Sequence, residues 1–134
     1  ADAPAAVLAL AGDGVELLGH VPRLEPLYDR ARVSIAPLRF GAGQKGKVVG
    51  SLAHGVPVVA TSIAAEGSWL EDGRHVLVGD TAAALAEHVC RLHRDQALWQ
   101  DLSRAGLALF EERFSLRGLR PHLEGLLREA ALLP

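Results

Sequence analysis

Apolar positions change their period along the chain. Val15–Leu18 is a short apolar run ending at Gly19; it reads as a strand followed by a loop at His20–Pro22. Leu24, Leu27 and Tyr28 recur at helical spacing, and Pro26 falls in a first turn, where its missing N–H is tolerated. Val33–Leu38 reads as a buried strand and Gly41–Gly43 as a loop. Lys45–His54 follows as a helix with Val48, Val49, Leu52 and Ala53 on its apolar side. Gly55 stops that helix and Pro57 opens the next run. Val56–Thr61 and His75–Val78 are further β-branched runs, the second preceded by a turn at Asp72-Gly73.

Past Asp80 the pattern is helical throughout. Thr81 is placed to cap a helix whose core face is Leu85, Val89 and Leu92. A second helix lines up Leu98, Leu102, Ala105 and Leu109. Ser115 caps a third, with Leu116, Leu119, Leu123 and Leu126, which Pro121 is expected to bend or interrupt. Strand–helix alternation followed by packing helices predicts an α/β fold, a Rossmann-like parallel sheet with flanking helices and a helical C-terminal segment. Residues 1–134 are expected to form one layered unit, with the sheet and site in 15–80 and packing helices in 81–134.

Composition narrows the class. With 134 residues the chain is one domain or a large part of one, and 49% hydrophobic against 22% charged residues is a globular balance. Fourteen basic and 16 acidic residues give −2, which excludes a nucleic-acid-coating protein. No apolar run reaches the length of a membrane span, and Ala1–Gly12 lacks the basic start of a signal peptide. The single Cys90 fits a reducing, cytoplasmic setting. The absence of Met and the start at Ala1 make a fragment the expectation.

The charge is uneven. No acidic residue falls between Asp29 and Glu66, whereas Arg30, Arg32, Arg39, Lys45 and Lys47 make that stretch locally +5. Lys45 and Lys47 are the only lysines, and they close the segment Arg39-Phe-Gly-Ala-Gly-Gln-Lys-Gly-Lys47, which joins a strand to a helix. Open parallel sheets bind ligands at the carboxyl ends of their strands, and a glycine loop leading into a helix offers free N–H groups to an anion. Cations in a first helical turn oppose the dipole at up to about 1 kcal/mol each, a cost that makes sense if a diphosphate sits there. Gly41, Ala42, Gly43, Lys45 and Lys47 are therefore the candidate diphosphate contacts, against the alternative of a solvated loop. The segment also spells G-x-G-x-x-G and G-x-x-x-x-G-K. The first is separated from its strand by Pro37–Phe40, and the second has Val48 where a magnesium-binding Ser or Thr belongs.

The next loop, Thr61-Ser-Ile-Ala-Ala-Glu-Gly67, is expected to lie beside it. Ser62 and backbone N–H groups could bind phosphate and Glu66 a sugar or ribose hydroxyl, although Glu66 could equally cap a short helix. His20 is a third candidate on the same edge, or a structural hydrogen-bonder. The six histidines form no H-x₃-H pair, there is no D-x-D or cysteine pair, and no base accompanies Ser51 or Ser62; neither a metal site nor a hydrolase triad is expected.

These residues resemble a known family. Leu18-Gly-His-Val21, Leu27-Tyr28, Val33-Ser-Ile-Ala-Pro-Leu38, Gly41-Ala-Gly-x-Lys-Gly-Lys47, Gly55-Val-Pro-Val-Val-Ala-Thr61, Ala65-Glu-Gly67, Asp72-Gly73 and Leu77-Val-Gly-Asp80 are similar to the C-terminal domain of group 1 (family 4) glycosyltransferases, from about Val15 to Ser115. The resemblance implies GT-B architecture, with two Rossmann-like domains facing across a cleft. It implies a nucleotide-sugar donor held by this domain, an acceptor held by a missing N-terminal domain, retaining transfer without a bound metal, and no cofactor. Lys45, Lys47 and the Gly41–Gly43 backbone would hold the diphosphate, with Ser62, Ala65, Glu66 and Gly67 closing over the sugar-diphosphate. Many members carry two glutamates eight positions apart; those places hold Ala42 and Gly50 here, so ribose recognition must come from elsewhere. The likeness starts about halfway into a donor domain, which implies a cytoplasmic fragment inactive alone, its parent peripheral to a membrane or free. The apolar edge left by truncation is expected to favour self-association. A non-catalytic nucleotide- or protein-binding domain is the alternative.

Overall fold

The computed structural model describes residues 4–130; residues 1–3 and 131–134, the ends of the expected unit, lie outside the described part. Three short strands, β1 (Ser34–Ala36), β2 (Val58–Ala60) and β3 (Val76–Val78), form a parallel sheet in the order β1-β2-β3. Helices α1 (Ala5–Leu8) and α2 (Glu25–Tyr28) precede β1. Helix α3 (Gly46–Ala53) joins β1 to β2, and α4 (Ser62–Ala65) lies between β2 and β3. Helices α5 (Ala82–Arg94), α6 (Gln96–Arg113) and α7 (Leu116–Glu129) follow the sheet. The α/β fold with a Rossmann-like parallel sheet, flanking helices and a helical C-terminal segment is therefore present.

Strand alternation divides the core. Val58, Ala60 and Val76 point to one face and pack with Val48 and Leu52 of α3, Ala64 of α4 and Leu109 of α6. Val59 and Leu77 point to the other face, against Leu92 of α5 and Leu102 of α6. Because β2 is central, Val58, Val59 and Ala60 are all fully buried, which is why this strand reads as an unbroken apolar run. Helix α6 serves both faces. Its Ser103 hydroxyl donates to the Gly55 carbonyl at 2.7 Å and its Trp99 Nε1–H to the Arg32 carbonyl at 2.7 Å, fixing the ends of both strand connections.

Caps set the helix starts. Thr61, Thr81, Asp95 and Ser115 each accept from the backbone N–H three residues on. Gly106 lets α6 approach α3, since a Cβ there would meet Leu52 Cδ2 at 3.0 Å.

Two expectations fail. Val15–Leu18 is not a strand: Val15 makes only an isolated bridge to Gly12, and Val15, Leu17 and Leu18 are exposed. A strand needs a paired neighbour, and the described residues offer it none. The pattern at Leu24–Tyr28 does form a helix, the single turn α2, with Pro26 in its first turn as expected. Pro121 does not interrupt α7, because as its sixth residue it removes only the bond to the Arg117 carbonyl. An Arg120–Glu124 pair at 2.8 Å spans the proline.

Candidate functional site at the carboxyl edge of the sheet

The carboxyl ends of β1 and β2 lie side by side. Thr61 locks them together: its N–H donates to the Ala36 carbonyl at 3.2 Å and its hydroxyl to the Leu38 carbonyl at 2.7 Å. Beyond Leu38 the chain makes the glycine bend, with Gly41 at φ 142° and Gly43 at φ 74°, and enters α3 through Lys45 as the N-terminal flanking residue. Gly41, Ala42 and Gly43 are exposed.

The two lysines do different things. Lys45 Nζ curls back and donates to the Gly43 carbonyl at 2.6 Å and to the Gly41 carbonyl at 3.4 Å, so its ammonium shapes the bend. Lys47, in the first turn of α3, makes no ion pair or side-chain hydrogen bond among the described residues. It stands on the wall shared by two cavities. One, of about 520 Å³, runs along β1 between Leu24, Tyr28, Ile35, Pro37 and Lys45. The other, of about 1080 Å³, is lined by Glu16, Leu18 and His20. His20 and Lys47 are thus brought to one cavity, though His20 follows an irregular segment rather than a strand.

The second loop is built differently. Ser62 donates both its N–H, at 2.8 Å, and its hydroxyl, at 2.9 Å, to Asp80 Oδ1. The register explains the meeting, since Ala60 pairs with Val78 and each partner lies two residues past its strand end. An anion at Ser62 would therefore have to displace a carboxylate. Ser62, Ala65 and Glu66 line an open cavity of about 570 Å³ together with Asp72, and no residue lines both this cavity and either one at Lys47. Glu66 is exposed at the end of α4, and Gly67 turns the chain at φ 72°. Of the five local cations, Arg32 belongs elsewhere: it lies 5.9 Å over Trp99 and donates to the His93 carbonyl at 3.1 Å.

Residues 2–95 match the family of group 1 glycosyl transferases. The chain belongs to the group 1 glycosyltransferases. Their general chemistry, glycosyl transfer, is accordingly that of this glycosyltransferase domain. Among curated proteins no similar sequence was found.

Within this glycosyltransferase the bare position at Gly50 has a steric cause. A Cβ at Gly50 would meet the Tyr28 Oη at 2.8 Å and the phenol ring at 3.2 Å. Tyr28 fills that space, donates its hydroxyl to the Lys47 carbonyl at 3.2 Å, and stacks on His54 at 5.0 Å. Tyr28 and Asp80 are residues whose part at this edge the sequence reading missed. The available signal was pairing, a glycine in mid-helix opposite a large ring and an Asp in register with a Ser. Among the described residues no three His, Cys, Asp or Glu side chains gather, and no helix is long and apolar enough to cross a membrane.

Proposed function

We propose that this chain is the donor-binding part of a GT-B glycosyltransferase. In this reading it transfers a sugar, with retention and without a metal, from a nucleotide diphosphate sugar to an acceptor held by a second domain. The observation that carries this reading is Lys47, an unpaired ammonium in the first turn of α3 at the carboxyl edge of a parallel sheet, where it opposes the helix dipole. A diphosphate would relieve that conflict. As the bond from anomeric carbon to phosphate oxygen breaks, its electron pair passes to the diphosphate. In this reading Lys47 and the free N–H groups of the first turn stabilise that charge. Lys45 holds the bend and Glu66 stands open to a sugar hydroxyl; His20, across the cavity from Lys47, is a further donor contact.

The test is thermal. Uridine or guanosine diphosphate should raise the melting temperature, by an amount equivalent to about 2.7 kcal/mol at a hundredfold excess over Kd. Lys47→Ala should abolish that rise while leaving the unliganded melting point unchanged or slightly higher, since the opposed ammonium is gone. Equal ligand stabilisation in parent and variant would remove Lys47 from the site. The bare Gly50 and Ala42 favour one other reading, a nucleotide- or partner-binding domain without turnover. A longer parent chain that binds the donor but never consumes it would establish that alternative.

A further inference from the structure

A further cavity, of about 490 Å³ and lined by charged and polar side chains, lies between the segment leading into β3 and the C-terminal half of α6. Its rim is strained. Trp69 is the one non-glycine residue among those described with positive φ, at 52°, yet it leaves 59% of its surface exposed. Ser68 beside it is fully buried with its hydroxyl unpartnered. Two unfavourable local features thus hold a large aromatic ring at the mouth of a cavity, and strain of this kind accumulates at ligand sites. The Trp69 and Phe114 rings meet edge to face with their centroids 5.9 Å apart, and the Arg113 guanidinium lies over one face of the indole, 5.7 Å from its centroid.

The wall chemistry selects the ligand. Arg74 Nη1 bonds both oxygens of Glu71, at 3.1 and 3.2 Å, and Arg113 Nη2 lies 3.0 Å from Glu112 Oε1. The formal charges of these four side chains cancel, and each pair keeps unused capacity; Arg113 Nε is buried without a partner. His75 is only 6% exposed. Its Nδ1 accepts from the Glu71 N–H at 3.2 Å, which leaves Nε2 as a donor without a partner among the described residues. An anion would meet the carboxylates of Glu71 and Glu112, and a cation the guanidinium groups of Arg74 and Arg113, so either sign of charge faces its like on the same wall. A neutral polyhydroxylated ring offers donors and acceptors to both members of each pair and a C–H face to the indole. The volume falls within the roughly 300–1,000 Å³ of small-molecule sites.

We propose that the Trp69 cavity is a subsite for a neutral oligosaccharide, separate from the groove at Lys47. Small side chains at Ala105 and Ala108 form its floor, leaving room for a sugar ring rather than a packed core. No residue of it lines either cavity at Lys47, and Leu70 is the one lining residue it shares with the cavity at Glu66.

The experiment is a titration of the isotope-labelled chain with neutral tetrasaccharides of glucose, mannose and N-acetylglucosamine, followed at the two indole N–H signals. The Trp69 signal should shift saturably, whereas that of Trp99, engaged by the Arg32 carbonyl, should stay in place. Trp69→Ala and Arg74→Met should each weaken binding by about tenfold or more, as expected when an anchor is truncated. Trp69→Phe should retain most of it. Arg74→Met removes only side-chain hydrogen bonds to the exposed Glu71, so it reports even if Trp69→Ala destabilises the loop. Lys47→Ala should bind the tetrasaccharide as the parent does, which separates this result from the diphosphate test. No shift by any tetrasaccharide up to about 10 mM, unchanged affinity in Arg74→Met, or a response only to a charged nucleotide would each overturn the proposal.

Discussion

Single residues decide what this surface can bind. The pair Tyr28 and Gly50 is a steric unit, because the phenol occupies the volume that any side chain at position 50 would need. Gly50→Ala should therefore destabilise the chain by about 1–3 kcal/mol in urea unfolding despite the better helix propensity of Ala. Adding Tyr28→Ala should make the second change nearly neutral. His75 carries the pH dependence. Burial holds its imidazolium below the ordinary value of 6.5, and Arg74 pushes the same way against the weaker upward pull of Glu71 and Glu112. Its contribution to stability is complete above pH 6.5 and declines as pH falls toward the lowered folded value, where the unfolded chain takes up a proton that the native state resists. Melting from about pH 7.5 to 5.5 should show this slope, and His75→Gln should flatten it. None of this was visible in the sequence, where His75 is simply the first residue of an apolar run.

At the scale of elements, the sequence was most readable where one residue type has one job. Thr81 and Ser115 announced their helices, and both hydroxyls accept the expected backbone bonds. The glycine bend between β1 and α3 was legible because positive φ at Gly43 demands glycine. Val15–Leu18 was not, since an apolar run states a wish for burial and not who will pair with it. The likeness to the donor domain named the two lysines together, but only the fold separates Lys45, turned onto its own loop, from Lys47. The α6–α7 corner is the tightest junction: a Cβ at Gly118 would collide with the carbonyls of Glu111 and Glu112. Gly118→Ala should cost about 1–3 kcal/mol, and Ser115→Ala about 1 kcal/mol through the lost cap; both are measurable by chemical denaturation.

For the whole molecule, an edge and a stripe lie open among the described residues. Ser34 and Ala36 turn their backbone groups toward β2, which leaves those of Ile35 facing the outer side of the sheet. Helix α7 meanwhile exposes Leu123 (56%) and Leu126 (62%) beside Leu119 and Leu127. Such surfaces favour self-association. Sedimentation should show mass rising with concentration, and Leu123→Glu with Leu126→Glu should shift the chain toward monomer without lowering its melting point.

Helix α6 binds both sides of the sheet at once, through Leu109 on one and Leu102 on the other. The two half-cores therefore have no independent life. Loosening either drags the shared helix from its mate, so the interior should open as one cooperative block, with the slowest-exchanging amides divided evenly between its sides.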